Sequence, residues 1–443
     1  MQKLNLAVAI TMAALTPYVS AASFISDSKA TLKARNFYIN QDNRDSGTPN
    51  NNNYQAEWGQ GFILDVTSGY TDGVVGFGVD AIGMLGVRLD SSSAKHGNPT
   101  GGAYGGIMFP SEGDHAVDEF SNMGLTAKIK LSNTELKLGT LMPKLPVVFS
   151  NDGRLLPQTW QGGQITAAEI KDLALVAGQI EQVKGRNSSN NENLSVTGAN
   201  NPQTGRFSNK FNYAGGEYKL TKDLTAQYYY GSLENFYKQH FLGLTYNLEI
   251  GPGVLKSDLR YFKSQDSGHN ETDPAYFTTG YYGGRTIKGE VDNNLYSGLF
   301  LYTLGGHTLG AGYQASNGDS DFPWLNQGDG GSTYLITDSL IQKFGRPGEK
   351  TWQARYAYDF AAAGLPGATA SVVYLKGDGI NTPDTSNASE WERDITLAYV
   401  VQGGPLKGVG LMLRNATVRN SNLPTVREQD EYRVILTYQL ALF

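Results

Sequence analysis

Segment after segment of this chain alternates apolar and polar residues with a period of two, and beyond the N-terminal leader no run is apolar over the ~20 residues that a membrane-crossing helix needs. A period of two makes a strand with two chemically different faces. From Trp352 to Phe360, the residues Trp352, Ala354, Tyr356, Tyr358 and Phe360 fall on one face, and Gln353, Arg355, Ala357 and Asp359 fall on the other. One face suits lipid and the other water. Leu125, Ala127, Ile129 and Leu131 alternate with Thr126, Lys128 and Lys130 in the same way, then turn through Ser132-Asn133-Thr134 into a return strand carrying Leu136 and Leu138. Ala226, Tyr228 and Tyr230, then Phe300 and Tyr302, then Ile395, Leu397 and Tyr399 mark further apolar faces.

Tight turns such as Lys219–Asp223 and Gly305-Gly306-His307 alternate with long polar stretches rich in Asn, Gly, Ser and Asp. Those stretches are Gln41–Ala56, Ser91–Asp118, Gly185–Lys210, Ser264–Gly284, Ser316–Gly331 and Gly377–Ser389. Short turns at one end and long loops at the other are the asymmetry of a bacterial outer-membrane barrel, whereas a soluble sandwich has no reason to segregate its loops. The chain ends in a strand that places Tyr432, Val434, Leu436, Tyr438, Leu440 and Leu442 on one face and brings the terminal Phe443 to the other, which suits closure of a barrel. With ~10 residues per crossing, the length accommodates about 16 to 18 strands, a size that leaves an aqueous channel. The expected fold is all-β: one transmembrane antiparallel barrel over 22–443, with no plug domain.

The first 21 residues read as an address: Lys3, an apolar stretch from Leu4 to Leu15, and the small residues Ser20 and Ala21 at a cleavage site. Composition agrees with a barrel. The chain has 54 Gly, 26 Tyr against 5 Trp and no Cys, so its stability comes from regular structure rather than from disulfides. A net charge of −6 argues against nucleic acid as a partner and leaves outer-membrane lipid and small solutes. Enzyme constellations are thin. His96, His115, His240, His269 and His307 lie mostly in loops or turns without metal spacing, no Ser and His pair marks a barrel lipase, and Gly101–Gly106 opens no phosphate-cradling helix. No cofactor or metal is expected.

A Lys or Arg on the lipid face at mid-depth costs roughly 2 to 4 kcal/mol, so strand cations are expected inside. Parity assigns Lys33 and Arg35, Lys128, Lys130 and Lys137, Arg355, Lys376, Arg414 and Arg433 to the lumen. Basic residues concentrated within an otherwise acidic chain would focus anions, and a guanidinium fork matches a carboxylate. The alternative is that these cations pair with inward carboxylates such as Glu135 and Asp359 and only stiffen the wall. Parity leaves the two readings open.

The residues themselves resemble a family. "LKARNFYIN" at 32–40, "WGQGFILDVTSGYTDGVVGFGVDAIGMLGVRLD" at 58–90, "GTLMPKLPVV" at 139–148, "DGRLLPQTW" at 152–160, "GEKTWQARYAYDF" at 348–360 and "YVVQGGPLKG" at 399–408 look like the OprD-like outer-membrane carboxylate channels of Pseudomonas and relatives. The resemblance covers the mature chain. It implies a monomeric 18-stranded barrel narrowed by inward loops, whose ladder of basic residues draws a carboxylate past a constriction. Arg35, Arg154, Arg355, Arg414, Arg419 and Arg433 match arginines of the family pattern, and Arg154 adds a constriction-loop arginine. Met412 departs, standing where some members carry a second arginine two residues before Arg414. Members that take up basic amino acids have an acidic residue after a Gly-Gly pair in a later inward loop. Here Gly330-Gly331 is followed by Ser332-Thr333, and Asp329 precedes the pair. The resemblance therefore points to monocarboxylates such as aromatic acids, with basic amino acids or peptides as the rival and a closed structural or adhesive barrel as the competing class.

Overall fold

The computed structural model describes residues 22–44, 54–96, 106–199, 201–326, 332–423 and 428–443. The expected leader over 1–21 and Asp329 lie outside those residues. Eighteen antiparallel strands form one sheet that closes on itself. The first strand, Lys29–Asn43, pairs on one side with Tyr54–Thr67 and on the other with the last strand, Gln429–Ala441, in a register that runs from Thr31 opposite Ala441 to Asn43 opposite Gln429. Closure leaves no edge, so every strand finds both neighbours and no backbone group is stranded in lipid. No helix among the described residues is long and apolar enough to cross a membrane.

One end of the barrel carries tight turns. Leu131 and Thr134 face each other across Ser132-Asn133, with Ser132 at φ 54°, and Leu304 faces His307 across Gly305-Gly306, with Gly305 at φ 58°. The backbone reverses in two residues there because both first positions adopt the left-handed conformation. The other end carries the long segments. This is the asymmetry that the sequence pattern predicts.

The outer surface is the expected apolar belt. Leu125, Leu242, Leu309, Leu397 and Tyr432 are each about half exposed, and the inward neighbours Lys128 and Gln353 are 3% and 2% exposed. The inner surface is more varied than simple alternation predicts. Phe211, Tyr213, Tyr229, Phe241 and Phe262 point inward and are buried, packed against Val147, Val148, Phe322 and Leu335 of segments that fold into the barrel. Across the barrel wall, inward Phe37, Ile39, Ile63 and Met84 pack against Met108, Phe109, Leu155 and Leu156. The barrel therefore has a hydrophobic core made between its wall and its own loops.

Glycine makes that packing possible at two positions of the second strand. A Cβ on Gly59 would come within 2.6 Å of the Phe109 ring, and one on Gly61 within 3.0 Å of the Leu155 carbonyl oxygen. The loop backbone presses directly on the wall because no side chain stands between them.

Candidate functional site

Two inward segments meet over a row of wall arginines. The segment after the strand Thr134–Leu141 carries Asp152 and Arg154. Arg35, on the inner face of the first strand, donates to both carboxylate oxygens of Asp152 at 2.8 and 3.2 Å and to the Arg154 carbonyl oxygen at 2.6 Å. Arg154 reaches the last strand, where its guanidinium lies 4.0 Å from Glu431. Gln41 also donates to Glu431 at 2.6 Å, and Arg433 pairs with it on the same strand.

The second segment, residues 332–349, is held by its backbone. Arg260 donates to the Tyr334 carbonyl oxygen at 2.6 Å, Arg355 to that of Ile336 at 2.5 Å and Arg433 to that of Leu340 at 3.2 Å. Glu392 accepts from the N–H groups of Leu340, Ile341 and Gln342 at 3.2, 2.9 and 2.7 Å. A buried carboxyl group that accepts three backbone hydrogen bonds is a strong anchor. Three wall arginines are thus also loop clamps. Room for one of them comes from Gly310, which lies opposite Arg355 in the ladder and whose absent Cβ would stand 3.1 Å from that of Arg355.

Arg414 differs from the others. It sits directly across the ladder from Arg433, points inward, makes no hydrogen bond or ion pair among the described residues, and holds a buried Nε without a partner. Two guanidinium groups side by side, one already clamped and one free, form a locus that favours an anion. Asp394 lies one row away on the neighbouring strand. It accepts from Ser339 and lies within hydrogen-bond reach of the Glu392 carboxyl group. Met412 occupies the inward position below Arg414, opposite Ile435.

The remaining sequence candidates separate into three groups. Lys128, Lys130 and Lys137 face inward near the tight-turn end, where Lys128 pairs with Asp80 at 2.6 Å and donates to the Ser68 carbonyl oxygen at 2.9 Å, and Lys137 pairs with Glu135 at 3.0 Å. The Tyr70 ring lies 4.8 Å from the Lys128 ammonium and 5.5 Å from that of Lys130. Lys128 and Lys137 are neutralised by inward carboxylates, as the wall-stiffening alternative describes. Ser332 lies in the second inward segment. The nearest described acid of that segment in sequence, Asp338, accepts from the Thr333 N–H and hydroxyl and pairs with Lys343, so it is engaged within the loop.

Two residues are corrected. Lys376 lies opposite Trp352 and Trp391 and shares the outward parity of Val372 and Tyr374, and Arg419 shares that of Leu411 and Leu413. Lys376 pairs with Asp378 at 3.3 Å, and Arg419 binds Asp430 through two bonds of 3.0 and 2.8 Å. Both stand on the outer face near the long-loop end. The penalty for an outward cation fades toward the interface, so mid-membrane parity logic does not apply there. Leu375, next to Lys376, faces the interior and is fully buried.

Arg260 was missed, although its flanks, Leu259 and Tyr261, are apolar and outward and the same parity argument finds it. Its guanidinium pairs with Asp258 at 2.6 Å and lies 4.0 Å from the centre of the Tyr334 ring. Glu392 was also missed, because its partners are loop backbone groups that carry no residue signature.

Behind the second segment, Arg346 lies 3.4 Å from Glu390, and its N–H donates at 3.0 Å to Glu349, which is fully buried. Asp321 belongs to the same cluster. Desolvation pushes its carboxyl up to about 6 against the pull of Arg346, and burial together with neighbouring Glu390 holds Glu349 well above the usual carboxylate range. Among the described residues no group of three or more His, Cys, Asp or Glu side chains is placed to hold a metal. His96, buried between Glu57 at 2.6 Å and Ser111 at 2.7 Å, ties a loop to the wall.

A closed 18-stranded barrel with a lipid-facing belt, segregated loops and an arginine-lined interior is an outer-membrane pore. Residues 22–442 match the family described as outer membrane porin, OprD family, and the chain belongs to it. It is 35% identical to the porin-like protein GalP of Pseudomonas putida over 95% of this chain and 94% of that one. Among solved structures it is similar to Pseudomonas aeruginosa OccK8 (OprE), at 55% identity and TM-score 0.86 over 95% of this chain and all of that one. It is also similar to Pseudomonas aeruginosa OpdK, solved with vanillate, at 34% identity and TM-score 0.82 over 94% of this chain and all of that one. The protein is an outer-membrane porin of a Gram-negative bacterium and not an enzyme.

Proposed function

We propose that this porin passes small monocarboxylates, aromatic acids among them, by handing the carboxylate along the inner arginines. The observation that carries the reading is Arg414, an inward guanidinium without a protein counter-ion beside a second, clamped one. A carboxylate arriving there replaces hydration water with charge-assisted hydrogen bonds, and passage requires that this site hold it only weakly. The Arg260–Tyr334 stack supplies an aromatic face next to a cation, a surface suited to an acid that carries a ring. The similar channel OpdK was solved with vanillate, which carries both groups.

Asp394 supports a second reading. Its inward carboxyl group, one row from Arg414, would offer an acceptor to the cationic end of a basic amino acid whose carboxylate is held by Arg414. Current through single channels in a planar bilayer separates the two. Benzoate added to one side is expected to carry or interrupt current while arginine has no effect, and preferential arginine transport would instead put Asp394 in the permeation path. A silent barrel would sink both readings in favour of a structural or adhesive role.

A further inference from the structure

On the outer face, near the long-loop end, three cations surround one tryptophan. The ladder sets Trp352, Lys376, Trp391 and Arg419 in one row across four neighbouring strands, and sets Arg393 in the row beneath, between Tyr374 and Thr417. All share the parity of lipid-facing Val372, Ile395 and Leu413. The rings of Trp352, Tyr374 and Trp391 follow one another at centroid distances of 5.3 and 5.8 Å, which is an interfacial aromatic belt. The strand Ala388–Val400 descends from a long loop, so residues near its start lie at the level of the outer leaflet.

Arg393 stands one row deeper in the wall than Lys376 and Arg419, where an outward cation costs more. Its Nη2 donates to the Asn415 and Thr417 side chains at 3.1 and 3.2 Å, while among the described residues its buried Nε has no partner and no carboxylate pairs with it. Asn415 and Thr417 are themselves polar residues at lipid-facing positions, and their effect is to hold the guanidinium against the wall. Around it, among the described residues, Lys376 pairs with Asp378, Arg419 with Glu428 and Asp430, and Arg44 with Asp430, with Asp42 beside it. Among the described residues Arg393 is the member of this group that no carboxylate pairs with.

We propose that this patch is a binding site for a phosphate of the outer-leaflet saccharolipid, the diphosphorylated glucosamine lipid of the Gram-negative surface. Arg393 and Lys376 flank Trp391 and supply donors to the phosphate oxygens, and the belt rings pack against the sugar and the first carbons of the acyl chains. A bound lipid would seal the wall beside the ladder of arginines inside it.

The test is retention of lipid by the full chain in native mass spectrometry. The probes are hexa-acylated diphosphorylated lipid A, the same lipid without phosphates, and phosphatidylglycerol. The wild-type protein is expected to retain the diphosphorylated lipid about ten-fold better than either control, as one charge-assisted contact is worth. Arg393→Leu, which suits a lipid-facing position, should remove that preference, Arg393→Lys should restore part of it, and single-channel conductance should be unchanged in both. Equal retention of the dephosphorylated lipid or of phosphatidylglycerol would overturn the proposal, as would undiminished preference in Arg393→Leu. Should Arg393→Leu fail to assemble, Lys376→Ser must lower the preference in its place, and its failure to do so is equally decisive.

Discussion

Two stretches of the same inner wall do opposite work. Between the strands Phe211–Lys219 and Gly253–Asp266 the interior is apolar, with Phe211, Tyr229, Phe241 and Phe262 gripping folded-in segments through buried surface. Between the strands Lys350–Asp359 and Gln429–Ala441 the interior is charged, and Arg355, Glu392 and Arg433 grip one of the same segments through its backbone groups. The apolar side holds by burial, which is indifferent to what passes. On the charged side the donors Arg355 and Arg433 face the lumen, so two of the groups that fix the loop also present positive charge to a solute. Arg414 is the exception that connects the two roles, because it faces the lumen and holds nothing.

The contrast makes distinct predictions for each side. Phe241→Ala removes a fully buried ring that contacts Phe262 and Tyr334, and cavity formation is expected to cost about 3–5 kcal/mol. A lowered heat-modifiability midpoint with unchanged anion selectivity is the expected pair of results. If selectivity collapses instead, the apolar side does more than hold the loop. Arg414→Ala should do the reverse, leaving the midpoint in place and weakening carboxylate permeation by about ten-fold or more, the worth of a hydrogen bond to a charged group of ~1.5–3 kcal/mol. Reversal potentials in benzoate gradients measure it, and an unaltered potential would remove Arg414 from the path.

A third effect is smaller and depends on pH. Asp321 carries a raised pKa of about 6, so the folded loop favours its protonated form. Stability from this group is present below the ordinary carboxylate pKa and is lost as pH rises through about 6. Loop-driven current fluctuations should therefore be rarer at pH 5 than at pH 7.5, and Asp321→Asn should flatten that difference. Persistence of the full pH dependence in Asp321→Asn would shift the origin to buried Glu349. The smallest expected effect is that of Arg419→Gln, which should leave anion selectivity where it was, since Asp430 and Glu428 hold Arg419 on the outer face.

Much of this arrangement is legible from residue order. The faces of Trp352–Phe360 and of the last strand, the turn at Ser132-Asn133 and the inward direction of Arg35, Arg355, Arg414 and Arg433 all follow from a period of two. The family resemblance misplaces Arg419, and the same rule misplaces Lys376. It assumes a strand buried in lipid along its whole length, and both residues lie where the wall emerges. It was also blind to Phe241 and Phe262, whose inward direction reads as a polar face interrupted by errors until the loops that cover them are in place.

Sequence by itself determined the barrel, its orientation of loops and its family, because alternation, turn chemistry and loop length are local properties repeated along the chain. Tertiary structure alone decided which arginines are committed and which is free. That difference between Arg433 and Arg414 depends on where Leu340 and Glu431 arrive in space, and a hydrogen bond to the backbone of a folded-in loop leaves no mark on the identity of either residue.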